Sequence, residues 1–141
     1  MSEEFGPAAA VFVEEISVPA SAIDRNGHVN NVVFVQWMQD MAVRHFASAG
    51  AFACTSAIGG GWVVRSHQVE YLGPAFAGDQ LEARTWIVSF GRVRSLRRYE
   101  FVRRSDARLL VRGETDWVFV NTATGKPMSI PKEIAGKFTV A

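Results

Sequence analysis

NNVVFVQWMQDMAVRHFAS, residues 30–48, is the stretch that decides the fold. It predicts a helix whose apolar side chains cover most of the circumference, so the helix must be nearly enclosed by the rest of the protein. A narrow polar stripe remains, made of Gln36, Gln39, Asp40, Arg44 and Ser48. Such a stripe is typical of a solvated or interface edge, and within it Asp40 and Arg44 have the spacing of an i,i+4 ion pair.

Both ends of this helix carry residues suited to capping. Asn30 or Asn31 is placed to accept hydrogen bonds from the free amides of the first turn. Gly50 suits a left-handed cap after the last turn. The sequence therefore predicts a helix that begins at about residue 31 and ends at about residue 48.

Strand-like runs rich in β-branched and aromatic residues flank the helix. They are residues 11–18 (VFVEEISV, stopped by Pro19), 62–71, 81–90, 95–103 and 109–121. Short links containing Gly, Pro and Asp separate the last four, which favours antiparallel pairing. We therefore expect an α+β fold in which a curved five-stranded antiparallel sheet wraps one long helix. Its edge strands would favour edge-to-edge dimerisation.

The composition limits the classes of function. The 141 residues fit a single domain, residues 1–141, in which residues 1–8 are expected to be flexible. The formal net charge of +1 argues against a nucleic-acid partner, and no apolar run is long enough to cross a membrane. No secretory signal opens the chain, and the single cysteine, Cys54, excludes an internal disulfide. These features predict a cytoplasmic protein with neither metal nor cofactor.

The segment with the most chemistry is DRNGHVNNVVFVQW, residues 24–37. It places a carboxylate (Asp24), a histidine (His28) and three amide side chains at the start of the predicted helix, where unpaired backbone amides and a partial positive charge are expected. Such a site can polarise a carbonyl and hold an oxyanion, while a nearby carboxylate attacks or activates water. These are the groups that acyl transfer needs.

Each of these residues also has an ordinary structural interpretation. Asp24 is equally suited to a turn or a cap, and Asn30 and Asn31 to capping. A lone histidine such as His28 is more often a hydrogen-bonded structural residue than a catalyst. The residues alone leave both interpretations open.

The segment resembles the signature of hot-dog thioesterases of the 4-hydroxybenzoyl-CoA thioesterase type, which reads roughly D-x-x-G-H-V-N-N-x-x-Y-x-x-W/F. It is also similar to the D-x-N-x-H-V-N-N-x-x-Y segment of plant acyl-ACP thioesterases. Residues 63–81, VVRSHQVEYLGPAFAGDQL, resemble the family's downstream segment, and residues 125–127 (GKP) and 130–131 (IP) its closing segment. The likeness covers roughly residues 10–132.

This resemblance implies a hot-dog fold and a role for each motif residue. Asp24 takes the place of the catalytic aspartate, and Gly27 permits close approach of the thioester. The backbone amide of Asn31 takes the place of the oxyanion donor. Asn26 and His28 match additional polar residues of the acyl-ACP group.

The chain departs from the family pattern at several positions. Phe34 stands where the family usually has tyrosine, on a predicted substrate-binding wall, and Gln39 where many members have glutamate. Pro74 and Ala75 replace the downstream glutamate and cysteine of the acyl-ACP group. These departures weaken an acyl-ACP mechanism and leave Asp24 as the central carboxylate.

A group of basic residues near a predicted turn, Arg92, Arg94, Arg97 and Arg98, has two interpretations. It is either a solvated edge or a clamp for the phosphates of coenzyme A, with Arg92 and Arg94 as the expected contacts.

The resemblance implies an acyl-CoA thioesterase that hydrolyses an acyl- or aroyl-CoA to free acid and coenzyme A, as a homodimer or homotetramer. The alternatives are an acyl-ACP thioesterase, a non-catalytic acyl-thioester-binding module, and a hot-dog hydratase. This chain lacks the proline of the hydratase motif D-x-N-P-x-H, which argues against the hydratase. The sequence leaves open the acyl group, the thiol donor and whether Asp24 is nucleophile or general base.

Overall fold

The computed structural model describes residues 10–141, so the expected flexibility of residues 1–8 lies outside the described range. Five antiparallel strands form one sheet in the order β1-β3-β4-β5-β2. Their bounds are β1 Val11–Ser17, β2 Gly60–Tyr71, β3 Gln80–Phe90, β4 Arg94–Arg103 and β5 Arg108–Asn121. The predicted α+β architecture, a curved sheet around one long helix, is confirmed.

The helices are α1 Asn31–Ser48, α2 Ala51–Ala57 and α3 Lys132–Ala135, preceded by a 3-10 turn at Ala20–Ala22. The long helix α1 matches the prediction. The sequence did not predict α2, because seven residues are too few to form a stable helix without tertiary packing. Its Cys54 Sγ donates to Glu133 Oε1 of α3 over 3.1 Å, which links the two short helices.

Both predicted caps of α1 are present. The side chain of Asn30 accepts a hydrogen bond from the amide of Val32 at 2.9 Å. Gly50 has a φ of 69°, a left-handed conformation that glycine adopts without strain, and its amide donates to Ala47 O over 3.0 Å.

One face of α1 packs on the inner face of the sheet in two apolar clusters. In the first, Met38 of α1 meets Leu81 and Phe101 of the sheet, and all three are fully buried. In the second, Phe46 packs with Phe119 and other aromatic side chains near the end of α1. Full burial of one such side chain contributes about 1.5–3 kcal/mol, so this face holds the helix in place.

The enclosure expected for α1 is incomplete within one chain. Val32 is 72% exposed and Val43 is 49% exposed, although the sequence predicted a helix covered nearly all round. The two valines are eleven residues apart, close to three full turns, so they lie on one side of the helix. One chain alone therefore leaves a stripe of α1 open, in which Val32 and Val43 lie on the same side as Gln36 and Gln39.

The polar stripe is also arranged differently from the prediction. Arg44 donates to both carboxylate oxygens of Glu14 on β1, at 2.6 and 2.8 Å, instead of pairing with Asp40. Asp40 accepts from Gln36 Nε2 at 2.9 Å. The glutamate offers Arg44 a bidentate partner, which an aspartate one turn away in the helix does not.

Two negative findings apply to the described part of the chain. Residues 10–141 contain no helix with the length and hydropathy that crossing a membrane requires. The same residues contain no group of three or more His, Cys, Asp or Glu side chains arranged to hold a metal ion.

Gly60, at the start of β2, is required by close packing. A Cβ atom there would lie 2.3 Å from the ring of Phe119, which is fully buried. We expect Gly60→Ala to lower the free energy of unfolding by about 1–3 kcal/mol, the usual cost of overpacking a core. Gly91→Ala is the control, because its Cβ would make only an ordinary contact at 3.5 Å. Equal denaturation midpoints for the two variants would contradict the prediction.

Candidate active site

The loop that precedes α1 is a closed turn. Ile23 and Val29 form an isolated antiparallel bridge, and the amide of Asp24 donates to His28 O over 3.0 Å. The amide of Gly27 donates back to Asp24 O, also over 3.0 Å, and its φ of 87° is a conformation that favours glycine. The backbone therefore fixes the position of Asp24 relative to the helix start.

The carboxylate of Asp24 is half-buried in this turn. Its Oδ1 accepts from the amide of Asn26 at 2.8 Å, which is the turn role that the sequence also allowed. Among residues 10–141, Oδ2 has no hydrogen-bond partner. One oxygen is thus held by the turn, while the other remains available to a bound molecule.

The first turn of α1 supplies a free donor beside this loop. The amide of Asn30 donates to Ala22 O over 3.0 Å, and the amide of Val32 is capped by the Asn30 side chain. The amide of Asn31 has no acceptor within the described residues. An unpaired N–H at the positive end of an 18-residue helix suits a negatively charged oxygen.

Asn26 and His28 lie in the same turn as Asp24. The side chain of Asn26 is exposed, and that of His28 is half-buried. Neither side chain has a hydrogen-bond partner in the part of the chain that the structure describes, so both are available to a ligand or to water.

Phe34 lies one turn into α1, and its ring is only 2% exposed. It packs edge-on against Phe101 at 5.2 Å between ring centroids and against Tyr71 at 6.2 Å. Direct contact between Phe34 and a substrate therefore stays a prediction, whereas its packing under the site is observed.

Tyr71, at the end of β2, lies beside the candidate site, a position that the sequence did not reveal. Its hydroxyl donates to Asn31 O over 3.0 Å, and burial raises the pKa of the phenol. The family's tyrosine position holds Phe34 here, and Tyr71 brings a hydroxyl to the helix start from 37 residues further along the chain. The only sequence signal for Tyr71 is its position in the Val69-Glu70-Tyr71 run of the downstream family segment.

A second polar contact joins the middle of α1 to β2. Gln39 Nε2 lies 3.3 Å from His67 Nε2, and His67 Nδ1 lies 2.8 Å from Thr115 Oγ1. Burial lowers the pKa of His67, which favours the neutral imidazole. This contact places the side of α1 that carries Gln39 next to the free edge of β2.

A cavity of about 250 Å³ lies at the opposite end of α1 from Asp24. Its walls are mostly apolar and include Phe46, Trp62, Ile87 and Trp117. Of the predicted site residues, none of the Asp24–Phe34 group lines this cavity. Within one chain, the predicted catalytic loop and the apolar cavity are therefore separate.

The structure distributes the basic group between the two faces of β4. Arg94 and Arg98 lie on the outer face, where they form ion pairs with Asp116 and Glu114. Arg92, in the preceding loop, donates to Ser129 Oγ over 3.0 Å. Arg97 is on the inner face, 4% exposed, and lines the cavity. Sequence reasoning grouped the four because they are neighbours along the chain.

Comparisons with known proteins agree with this fold. A 1,4-dihydroxy-2-naphthoyl-CoA thioesterase from Synechocystis is 22% identical, with 86% of this chain and 90% of that chain covered and a TM-score of 0.78. A probable thioesterase from Escherichia coli is 17% identical, with 89% and 94% covered and a TM-score of 0.81. A hypothetical protein from Staphylococcus aureus, solved in complex with CoA, is 17% identical, with 90% and 80% covered and a TM-score of 0.83.

The family assignment rests on a separate comparison. Among curated proteins, none matches the chain in sequence. The model of the thioesterase-like superfamily, however, matches residues 18–138, which include the Asp24 turn, α1 and the sheet from β2 to β5. The chain therefore belongs to the thioesterase-like superfamily, has the hot-dog fold and is a thioester hydrolase.

Proposed function

We propose that this protein is an acyl-CoA thioesterase, which hydrolyses an acyl- or aroyl-CoA thioester to the free acid and coenzyme A. One observation carries the proposal: within residues 10–141, Asp24 Oδ2 and the amide of Asn31 both lack a hydrogen-bond partner, and both lie at the start of α1. A carboxylate and an oxyanion donor are the two groups that attack on a thioester carbonyl requires.

In the proposed reaction, the thioester oxygen accepts a hydrogen bond from the Asn31 amide, and the helix dipole stabilises the charge that develops there. Asp24 either attacks the carbonyl carbon or takes a proton from an attacking water. The C–S bond then breaks, and coenzyme A leaves as its thiol after protonation. In the first route, water next cleaves the mixed anhydride and restores the carboxylate. Asn26 and His28 position the water or Asp24.

We further propose that the enzyme is a symmetric dimer joined along β2. The 12-residue edge of β2 and the open stripe of α1 with Val32 and Val43 form one continuous surface, since Gln39 of α1 contacts His67 of β2. Unpaired strand edges and exposed apolar side chains are both features that a second copy covers. Two β2 strands paired antiparallel place Gly60 of one copy beside Tyr71 of the other. The cavity of one copy then adjoins the Asp24 loop of its partner.

The acyl-ACP alternative is less well supported. Ala75, which replaces a functional side chain of that group, is 1% exposed. Its carbonyl accepts from the amide of Val29 at 2.9 Å, so the residue supports the loop through its backbone. This observation favours a mechanism centred on Asp24.

The proposal is tested by measuring free-thiol release from a panel of acyl-CoAs and the matching acyl-ACPs. An acyl-CoA thioesterase releases thiol from at least one acyl-CoA faster than from the same acyl-ACP. Faster release from the carrier protein would assign the acyl-ACP activity instead. Tight binding of acyl-CoAs without thiol release would make the protein a binding module.

A clamp on the coenzyme A phosphates is expected from Arg92 more than from Arg94. Arg92 is exposed and forms no ion pair among the described residues, whereas Asp116 neutralises Arg94. Arg92→Ala should raise KM with little change in kcat, because a remote phosphate contact contributes mostly uniform binding. Arg94→Ala should have the smaller effect. Steady-state kinetics at low and high salt check this, and an unchanged KM in the variant that combines Arg92→Ala with Arg94→Ala would count against the clamp.

A further inference from the structure

Arg97 is a buried cation without an anionic partner in the described chain. It is 4% exposed, and no carboxylate of residues 10–141 lies within ion-pair distance of its guanidinium. Each of the other arginines of β4 forms an ion pair with a carboxylate. The pairs are Arg94 with Asp116, Arg98 with Glu114 and Arg103 with Asp79. Of the four arginines on β4, Arg97 alone has no counter-charge among residues 10–141.

The contacts that Arg97 does make are with neutral groups. Its Nη1 donates to His45 Nδ1 at 2.9 Å and to Thr85 Oγ1 at 3.1 Å. Because a guanidinium has no acceptor atom, His45 must present the lone pair of Nδ1, which makes the imidazole neutral. In the described residues Nε and Nη2 have no acceptor. Burial lowers the pKa of Arg97 to about 10, so the group is still a cation at neutral pH.

A buried charge of this kind is costly unless an opposite charge reaches it. The cavity is the route by which one can, because Arg97 forms part of its wall. The remaining wall is mostly apolar and includes Phe46, Ile87 and Trp117, and its polar members are Thr55, Ser56 and Ser95. The cavity also opens outward, since Val43 and Phe52 at its rim are 49% and 42% exposed. An apolar channel with a cation on its wall suits a hydrocarbon chain that carries an anion.

The position of the cavity relative to the Asp24 loop shows how an acyl group bound at that loop reaches Arg97. Ala42 on its wall lies eleven residues beyond Asn31, about 16 Å along the helix axis. In the proposed dimer, the cavity of one copy instead adjoins the Asp24 loop of the other. An acyl group whose thioester is held at that loop enters the cavity with its far end toward Arg97.

We propose that the cavity selects acyl-CoA substrates whose acyl group carries a carboxylate at the end distant from the thioester, and that Arg97 binds this carboxylate. The inference rests on the proposed thioesterase function and adds a substrate class to it. The paired N–H donors of Arg97 match a carboxylate in a bidentate geometry. The rival explanation is an arginine that only ties β4 to His45 and Thr85.

The experiment compares substrates of equal length that differ only at the far end. The pairs are adipoyl- with hexanoyl-CoA, suberoyl- with octanoyl-CoA, and sebacoyl- with decanoyl-CoA. Wild-type kcat/KM should be at least about tenfold higher for the carboxylate member of the best pair. A preference for the methyl-ended member in every pair would overturn the inference.

Arg97→Met keeps an unbranched apolar stem but is shorter and removes the charge. It should lower kcat/KM for the carboxylate substrate by about 30-fold or more, the scale for losing one partner of a buried charge pair. The loss on the methyl-ended substrate should be smaller, so that the ratio of the two kcat/KM values falls. Arg97→Lys should keep part of the preference for the carboxylate substrate, because lysine retains the positive charge but lacks the planar guanidinium that binds both carboxylate oxygens. The same ratio in the wild type and in Arg97→Met would show that Arg97 is only structural.

Arg98→Met is the matched control, since Arg98 is the next residue on the same strand but faces outward and pairs with Glu114. It should leave the substrate ratio unchanged. Melting temperatures establish that each variant is folded, and the wild-type ratios decide the question if Arg97→Met is not. Good hydrolysis of methyl-ended but not carboxylate substrates rejects this inference alone. No thiol release from any acyl-CoA rejects the proposed function as well.

Discussion

Asp24→Asn is expected to lower kcat for the best acyl-CoA substrate by about 100-fold or more, the usual scale for losing an acid–base or nucleophilic group. Asparagine keeps the shape of the side chain and can still accept from the amide of Asn26, which holds the turn. The asparagine has an amide NH2 group where Asp24 has its second carboxylate oxygen. It can therefore neither attack the thioester nor take a proton. Steady-state hydrolysis measures the loss, and an unchanged melting temperature shows that the fold is intact.

His28→Ala is the comparison that defines the roles. If His28 only orients water or Asp24, its loss costs less than that of Asp24, and KM changes little. The assignment is wrong if Asp24→Asn retains near wild-type kcat while His28→Ala abolishes turnover, because His28 would then be the base. Asp24→Ala adds a structural check. It removes the acceptor for Asn26 as well, so it should destabilise the turn where Asp24→Asn does not.

Val43→Asp is expected to convert the dimer to a monomer at micromolar concentration. Val43 is 49% exposed in one chain and lies on the open stripe of α1, which the second copy covers in the proposed dimer. An unpaired carboxylate buried there should cost about 3 kcal/mol or more, which weakens the dimer by at least about 100-fold. Light scattering measures the mass, which for the wild type should equal two chains or a multiple of two.

Val13→Asp is the matched control, because Val13 is 51% exposed but lies on β1, at the opposite edge of the sheet. It should remain dimeric and active. Since the proposed site combines the Asp24 loop of one copy with the cavity of the other, the Val43→Asp monomer should also lose most of its activity. A wild-type protein that is a stable, active monomer would refute the arrangement. Equal dissociation of both variants would show that the dimer uses a different surface.

Regular periodicity made the main elements predictable. The β-branched and aromatic composition of the strand runs and the apolar circumference of residues 30–48 predicted all five strands and α1 to within about two residues. The sequence narrowed the first cap to Asn30 or Asn31 and assigned Gly50 to the other end, because capping depends on backbone groups two to four residues away. The structure shows that Asn30 is the first cap. The short helices α2 and α3 were missed, because their stability comes from contacts with distant parts of the chain.

The candidate site, like the fold, could be predicted from the sequence only in part. The sequence by itself determined the thioesterase family and proposed Asp24, Asn26, His28 and Asn31 as one site, because these residues are neighbours in one motif. The tertiary structure alone decided that Tyr71 reaches the start of α1 and that Arg97 turns inward while Arg94 and Arg98 turn outward. Successive strand residues face opposite sides of a sheet, and both faces of β4 mix polar with apolar side chains. Which face of β4 is buried therefore depends on where α1 packs, and the sequence pattern of β4 by itself does not show this.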